Sequence, residues 1–259
     1  MIENSKEKEH IFTGKAEHYR NGRPGYAQEL LNEIERRIGS TEKGENIRIA
    51  DIGSGTGKFS GQLLKRGYEV YAIEPNEDMR SEAEKMFMGD GCFHSVKGSA
   101  SNTGVKSGFI DAVTCAQSFH WFAEESFQRE CKRILKKGGM VFLIWNMRDP
   151  NTSISKDLYD LFTTYCSNFQ GFSSGLKEDD DRIIRFFANK YEKKRWKNPI
   201  LFTEEQFMAR NLSSSYALEQ GEERYDEFVI DLRNIFTKYE QNGILHMPND
   251  TVAYIGRLI

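Results

Sequence analysis

Nine consecutive residues, Ile49-Ala50-Asp51-Ile52-Gly53-Ser54-Gly55-Thr56-Gly57, hold the strongest ligand-binding signal in this 259-residue sequence. An apolar run stops at Asp51, glycines follow on alternate positions, and a helix pattern begins at Lys58. A glycine-rich turn from strand to helix points backbone N–H groups and a helix N-terminus at a ligand, and the missing Cβ atoms allow close approach. The spacing fails two phosphate-binding patterns. A P-loop needs glycine at Ile52 and Ser or Thr at Phe59. A dinucleotide fingerprint needs glycine at Lys58. What remains is a tighter G-x-G-x-G behind an acid. A second acid, Glu74, closes the next apolar run, where a carboxylate is placed to accept ribose hydroxyls. These residues imply a ribose-bearing ligand and leave open whether it is NAD or another adenosine compound.

A third chemical segment is Ala116-Gln117-Ser118-Phe119-His120-Trp121-Phe122. It ends another strand pattern, and ligands of open α/β sheets sit beyond the carboxyl ends of strands. His120 is its proton-transfer candidate. Before the first helix lies a knot of aromatics and cations that includes Tyr19, Arg20, Arg23 and Tyr26. The five histidines show no metal-ligand spacing, so no metal is expected.

The elements that must position these groups alternate. Tyr26–Ile38 reads as a helix with Leu30, Leu31, Ile34 and Ile38 on one face. Strand patterns at Ile47–Ile52, Glu69–Glu74, Cys92–Lys97, Phe109–Ala116 and Met140–Trp145 are interleaved with helices at Lys58–Arg66, Asn76–Met88 and Glu124–Lys137. The apolar face of the Asn76–Met88 helix is Met79, Ala83, Met86 and Phe87. Strand–helix repetition with continuous apolar strands predicts a doubly wound, parallel α/β sheet. After residue 150 the rhythm changes. Helices are expected at Ile154–Tyr165, Arg182–Asn189 and Glu222–Tyr239, and a strand at Tyr191–Phe202. Thr203 and Gln206 form a capping box that opens another helix. A final hairpin is expected around Pro248-Asn249-Asp250, joining Gly243–Met247 to Val252–Leu258.

Composition bounds the function classes. Net charge is −3, which points to neither a nucleic-acid nor a membrane-surface partner. The basic stretch Lys193–Lys197 reads as a solvated strand face, and the acidic run Glu178–Asp181 as a solvated loop. Four dispersed cysteines fit reduced thiols and a cytoplasmic location. The opening MIENSKEKEH lacks the apolar core of a secretory signal. The longest apolar run, Met140–Trp145, is too short to span a bilayer.

On these motifs the sequence resembles the class I S-adenosylmethionine-dependent methyltransferases. The resemblance implies that Asp51, Gly53, Ser54, Gly55 and Gly57 cradle the methionine end of S-adenosyl-L-methionine, and that Glu74 binds the ribose. Pro75, Asn76 and Met79 then lie near the adenine. Where the family carries G-D-A-E, this chain reads Gly98-Ser99-Ala100-Ser101, so Ser99 or the Ala100 backbone takes over the adenine contact. The run Ala116–Phe122, the segment Tyr19–Tyr26 and the block Phe202–Tyr216 are similar to the branch that includes trans-aconitate methyltransferase-like enzymes. On that likeness Tyr19, Arg23, Gln117 and His120 join the cofactor site, and Arg20, Trp121 and Arg148 the acceptor site. The family implies one domain with a Rossmann-like, seven-stranded, mostly parallel sheet whose last strand is antiparallel. In this chain that means an N-terminal lid and helix (1–45), a cofactor core (46–150), a mostly helical acceptor cap (151–240) and a final strand hairpin (241–259).

The implied reaction is methyl transfer by in-line displacement to an oxygen or nitrogen of a small molecule. A carboxylate acceptor needs cations to hold it, and Arg20, Arg23 and Arg148 are placed for that. A hydroxyl or amine acceptor needs a base, and His120 is that base. Three other readings stand beside this one: a methyltransferase acting on a macromolecule, a non-catalytic S-adenosylmethionine-binding module, and a nicotinamide oxidoreductase. The oligomeric state is not encoded in any motif.

Overall fold

Helix α1 (Gln28–Ile38) forms where apolar residues recur every three or four positions, and it buries Leu30, Leu31 and Ile34. The computed structural model describes residues 25–39, 46–172 and 180–258. Tyr19, Arg20 and Arg23, the proposed lid before Gly25, and Glu178 and Asp179 of the acidic run lie outside these residues. After α1 the chain alternates as its periodicity predicts. The order is β1 (Arg48–Ile52), α2 (Lys58–Leu64), β2 (Glu69–Ile73), α3 (Glu77–Met86), β3 (Phe93–Val96), β4 (Ile110–Ala116), α4 (Glu124–Ile134) and β5 (Leu135–Arg148).

These strands join a seven-stranded sheet in the order β3-β2-β1-β4-β5-β10-β6, with β10 (Asn249–Gly256) and β6 (Tyr191–Lys197) closing one edge. All pairs from β3 to β5 are parallel. β10 runs antiparallel to both neighbours, so it is the one reversed strand of this sheet. Central strands are apolar on both faces because both are covered. Along β5, Val141, Leu143 and Trp145 face one core with Phe127 and Phe186, while Phe142 and Ile144 face the other with Leu30 and Phe59. That two-residue alternation is the pleat of the strand.

The remaining chain does two jobs. Helices α5 (Ser153–Tyr165), α7 (Glu204–Leu212) and α8 (Tyr225–Tyr239) pack on a small sheet of β7 (Ile200–Phe202), β9 (Ile244–Met247) and β8 (Glu240–Gln241). Phe162, Phe207, Phe228, Leu232 and Leu245 centre that second core. The capping box at Thr203 and Gln206 is present at the start of α7. Helix α6 (Asp181–Phe186) and strand β6 instead serve the main sheet, where Ile183 and Phe186 are fully buried. The expected cap over 151–240 is therefore divided between two cores.

Four local expectations are corrected. The single strand over Tyr191–Phe202 is two strands in two sheets, broken at Asn198-Pro199, because proline has no N–H for the ladder. The closing hairpin does not form. β9 pairs with β7 and β10 pairs with β5 and β6, so Pro248 marks a switch between sheets. The helix expected to reach Lys137 stops at Ile134, because Leu135 already pairs with Ile110 of β4. Met86 is 47% exposed, and Arg80 is buried on α3 in its place, with its guanidinium on Glu77, Glu84 and the Glu74 carbonyl.

Candidate functional site

The order β3-β2-β1-β4 reverses direction of growth between β1 and β4, and a crevice opens beyond the carboxyl ends of such strands. Here it is a cleft of about 220 Å³. Its walls come from the β1–α2 turn, the β2–α3 junction, the turn at Gly98–Ser101 and the segment that follows β4.

The glycine turn is real, but four of its N–H groups are already engaged. Gly53, Gly55 and Gly57 take φ of 70°, 57° and 77°, the left-handed region open to glycine. The Gly53 and Ser54 N–H groups donate to the Ile73 carbonyl at 2.9 and 3.2 Å. Gly57 N–H donates to Ser54 O, and Gly55 N–H donates to Glu74 Oε2 at 2.9 Å. The expectation that these N–H groups face the ligand is corrected for these four. The turn is a thin wall. A Cβ on Gly53 would lie 2.6 Å from Ser118 Cβ, so the absent side chain lets Ser118 pack against the turn. Ser54 Oγ is buried and makes no hydrogen bond among the described residues.

Asp51 does not line the cleft. It lies beneath the turn with 1% exposure, accepting Ser60 Oγ at 2.7 Å and Thr114 Oγ1 at 3.0 Å. Its carboxylate also accepts from the Ser60 backbone at the start of α2, so the protein's own anion occupies that helix N-terminus. Burial outweighs these hydrogen bonds and pushes its pKa up to about 6.

Glu74 does reach the cleft wall. Each carboxylate oxygen is held by one backbone donor, Gly55 N–H on Oε2 and Asn76 N–H on Oε1, both at 2.9 Å. A carboxylate has about four acceptor sites, so both oxygens keep lone pairs for further donors. Burial to 8% exposure raises its pKa, against the pull of those two N–H groups.

Gln117, the residue after β4, has φ of 59°, unusual for a residue with a side chain. Its N–H donates to Ile144 O and its side-chain amide to Asn146 O, both at 2.9 Å. The left-handed kink turns Ser118 back over β1, where its hydroxyl donates to Ile52 O at 2.8 Å. A short 3₁₀ turn over Phe119–Trp121 then splits the aromatic run. Phe119 enters the core, whereas Trp121 and Phe122 line the cleft.

Of the residues singled out in the sequence, Gly53, Gly55, Glu74, Pro75, Asn76, Met79, Ser99, Ala100, Gln117 and Trp121 meet at this cleft. Asp51, Ser54, Gly57, His120 and Arg148 are not on its wall. His120 lies beside Trp121, with ring centres 5.0 Å apart. Arg148 stacks on Phe172 and donates to Asn211 Oδ1 at 3.2 Å, on the side of the second core. The role of Ser118 escaped the sequence reading, since a serine after a strand carries no signal of its own.

The donor set fits an adenosyl ligand better than a phosphate-bearing one. Among the described residues lining the cleft, Glu74 is the charged one and none is Lys or Arg. Ser99 and Ser101, which face each other at 3.2 Å between hydroxyl oxygens, and the apolar Pro75, Met79 and Phe122 offer an uncharged bed for a base.

Residues 50–143 match the model of the methyltransferase domain family. An uncharacterised methyltransferase-like protein of Schizosaccharomyces pombe is 36% identical over 106 residues, 40% of each chain. A probable S-adenosylmethionine-dependent methyltransferase of Saccharomyces cerevisiae is 30% identical over 132 residues, 49% of this chain and 44% of that one. The chain thus spans less than half the length of these two curated relatives. Among solved structures, a putative type II methyltransferase from Anaeromyxobacter dehalogenans superposes with a TM-score of 0.62 over 91% of this chain and 97% of its own, at 18% identity.

Proposed function

We propose, from the premise that residues 50–143 are a methyltransferase domain of the class I, S-adenosylmethionine-dependent type, that the protein transfers a methyl group to an oxygen or nitrogen of a small molecule. The observation that carries this reading is Glu74. Its carboxylate is pinned by two main-chain donors at the end of β2, with spare acceptor capacity facing a cleft that has no lysine or arginine among its described lining residues. Vicinal hydroxyls suit such a group, and a pyrophosphate does not.

S-adenosylmethionine, when bound, supplies a methyl group already activated on a sulfonium sulfur. The chain's own work is alignment and exclusion of water, and orientation alone is worth up to roughly 7–11 kcal/mol in favourable cases. Glu74 accepts from the ribose hydroxyls, and the Gly98–Ser101 turn with Met79 and Pro75 receives the base. Trp121 and Phe122 line the cleft, and an aromatic face turned to a nearby cation stabilises it by about 0.5–2 kcal/mol. Asp51 holds the turn from beneath. His120 is the base for an acceptor that must lose a proton. Arg148, off the cleft wall beside Phe172 and Asn211, is the cation we assign to an anionic acceptor.

Calorimetric titration with S-adenosylmethionine, S-adenosylhomocysteine and NAD tests the reading. Binding of the first two without NAD is the expected result. Absence of binding by both adenosyl ligands overturns it. Methylation of a panel of small acids, phenols and amines by the full chain then tests the acceptor class.

A further inference from the structure

Asn146, near the end of β5, is 6% exposed and joins segments that are far apart in sequence. Its Oδ1 accepts the Thr251 hydroxyl at 2.7 Å and Asn198 Nδ2 at 3.1 Å. Its Nδ2 donates to the Gly25 carbonyl at 3.0 Å. Asn198 Nδ2 donates to the same carbonyl at 3.0 Å. Thr251, fully buried, accepts the Ala27 N–H at 3.0 Å. A hydroxyl has one proton, and Thr251 gives it to Asn146, so the direction of the chain of bonds is set. Tyr26 completes the arrangement: its N–H and its carbonyl both pair with the Gln62 side-chain amide, at 2.9 and 3.0 Å. The main chain from Gly25 to Ala27 is thus held by four side chains, those of Gln62, Asn146, Asn198 and Thr251.

The same Asn146 also contacts a residue of the cleft wall. Its backbone carbonyl accepts the Gln117 side-chain amide at 2.9 Å. Gln117 lines the cleft in a left-handed conformation, and such conformations persist only where the surroundings over-determine them. The two bonds that hold it both end on β5, at Ile144 and Asn146.

We propose that Asn146 is a positioning residue that couples the occupancy of the cleft to the docking of the chain entering α1. A ligand resting on Gln117 restrains β5 at Asn146, and through the Asn146 and Thr251 side chains it restrains Gly25–Ala27. Linkage makes the effect reciprocal: docking of that chain segment raises the affinity of the cleft. This is a physical path of hydrogen bonds with named ends, of the kind that a variant series can cut. The proposal rests on the adenosyl ligand assigned to the cleft above.

Hydrogen exchange of the full chain, with and without S-adenosylhomocysteine, tests it. The readout is the ligand-induced slowing at the Tyr26 and Ala27 amides. Wild type and Thr251→Ser, which keeps the hydroxyl, are expected to slow about tenfold. Thr251→Val removes the hydroxyl at nearly constant shape, and Asn146→Asp sets an oxygen against the Gly25 carbonyl. Both are expected to bind the ligand about tenfold more weakly and to show less than twofold slowing. If Asn146→Asp fails to fold, the Thr251 pair decides alone. Ligand binding by wild type with unchanged exchange at these amides overturns the coupling and leaves the functional reading intact, as does full slowing in Thr251→Val. No binding by wild type overturns both.

Discussion

Gly55 donates its backbone N–H to Glu74 Oε2 at 2.9 Å, so the glycine turn and the acid that ends β2 are one unit. The Gly53, Ser54 and Gly57 N–H groups are committed to Ile73 O and Ser54 O, and Asp51 occupies the start of α2. The turn therefore orients a carboxylate toward the cleft instead of cradling a phosphate. Each part of this arrangement has a measurable consequence.

Glu74→Gln removes the charge and leaves a side-chain N–H₂ facing the N–H of Gly55 or Asn76. Hydrogen bonds to charged groups contribute about 1.5–3 kcal/mol, so S-adenosylhomocysteine should bind roughly 10- to 100-fold more weakly by calorimetry. Because burial raises the Glu74 pKa, protonation competes with binding as pH falls through that raised value. Wild-type affinity should decline on acidification, and the variant should lose that dependence.

Asp51 makes an opposite kind of pH prediction, on stability. Its pKa rises from the ordinary 3.8 to about 6 on folding. Between those values the folded state binds more protons than the unfolded one, so stability falls as pH rises from about 4 to 6 and stays lower above. The size is on the order of 3 kcal/mol for a shift of this kind. Asp51→Asn should flatten this part of the curve, as read by denaturant unfolding at several pH values. An unchanged slope would show that Asp51 does not titrate in that window.

Gly53→Ala meets two penalties. Its φ of 70° disfavours a side chain by roughly 1–2 kcal/mol, and the new Cβ would sit 2.6 Å from Ser118 Cβ. Overpacking of that sort adds about 1–3 kcal/mol. Together these predict a loss of about 2–5 kcal/mol in unfolding free energy. Adding Ser118→Gly should recover part of the contact penalty, less the lost Ser118 hydrogen bond to Ile52 O, and leave the backbone part and the 3.1 Å approach to Phe122.

Trp121→Leu tests the aromatic wall. S-adenosylmethionine carries a sulfonium cation and S-adenosylhomocysteine a neutral thioether. If the indole faces that sulfur, the variant should lose affinity for the first by a factor of about 2 to 30 relative to the second. Equal losses for both ligands would mark Trp121 as packing alone.

Local periodicity and turn chemistry made much of this protein legible before its structure. The βα rhythm over residues 47–145, the glycine turn, the acid at Glu74 and the capping box at Thr203 are encoded within short windows, where side-chain spacing acts directly on backbone conformation. The tertiary structure decided what those windows do not contain. It placed β10 between β5 and β6, separated β6 from β7 at Pro199, and dissolved the closing hairpin, because the choice of strand partner is a competition among distant segments. It also set which way polar groups face. Asp51 reads in sequence as a ligand contact and is an internal anchor, since burial beneath the turn depends on Ser60 and Thr114 arriving from two other elements. The Asn146 network escaped for the same reason: its Thr251 bonds to Ala27 across 224 residues, a distance over which no spacing rule acts.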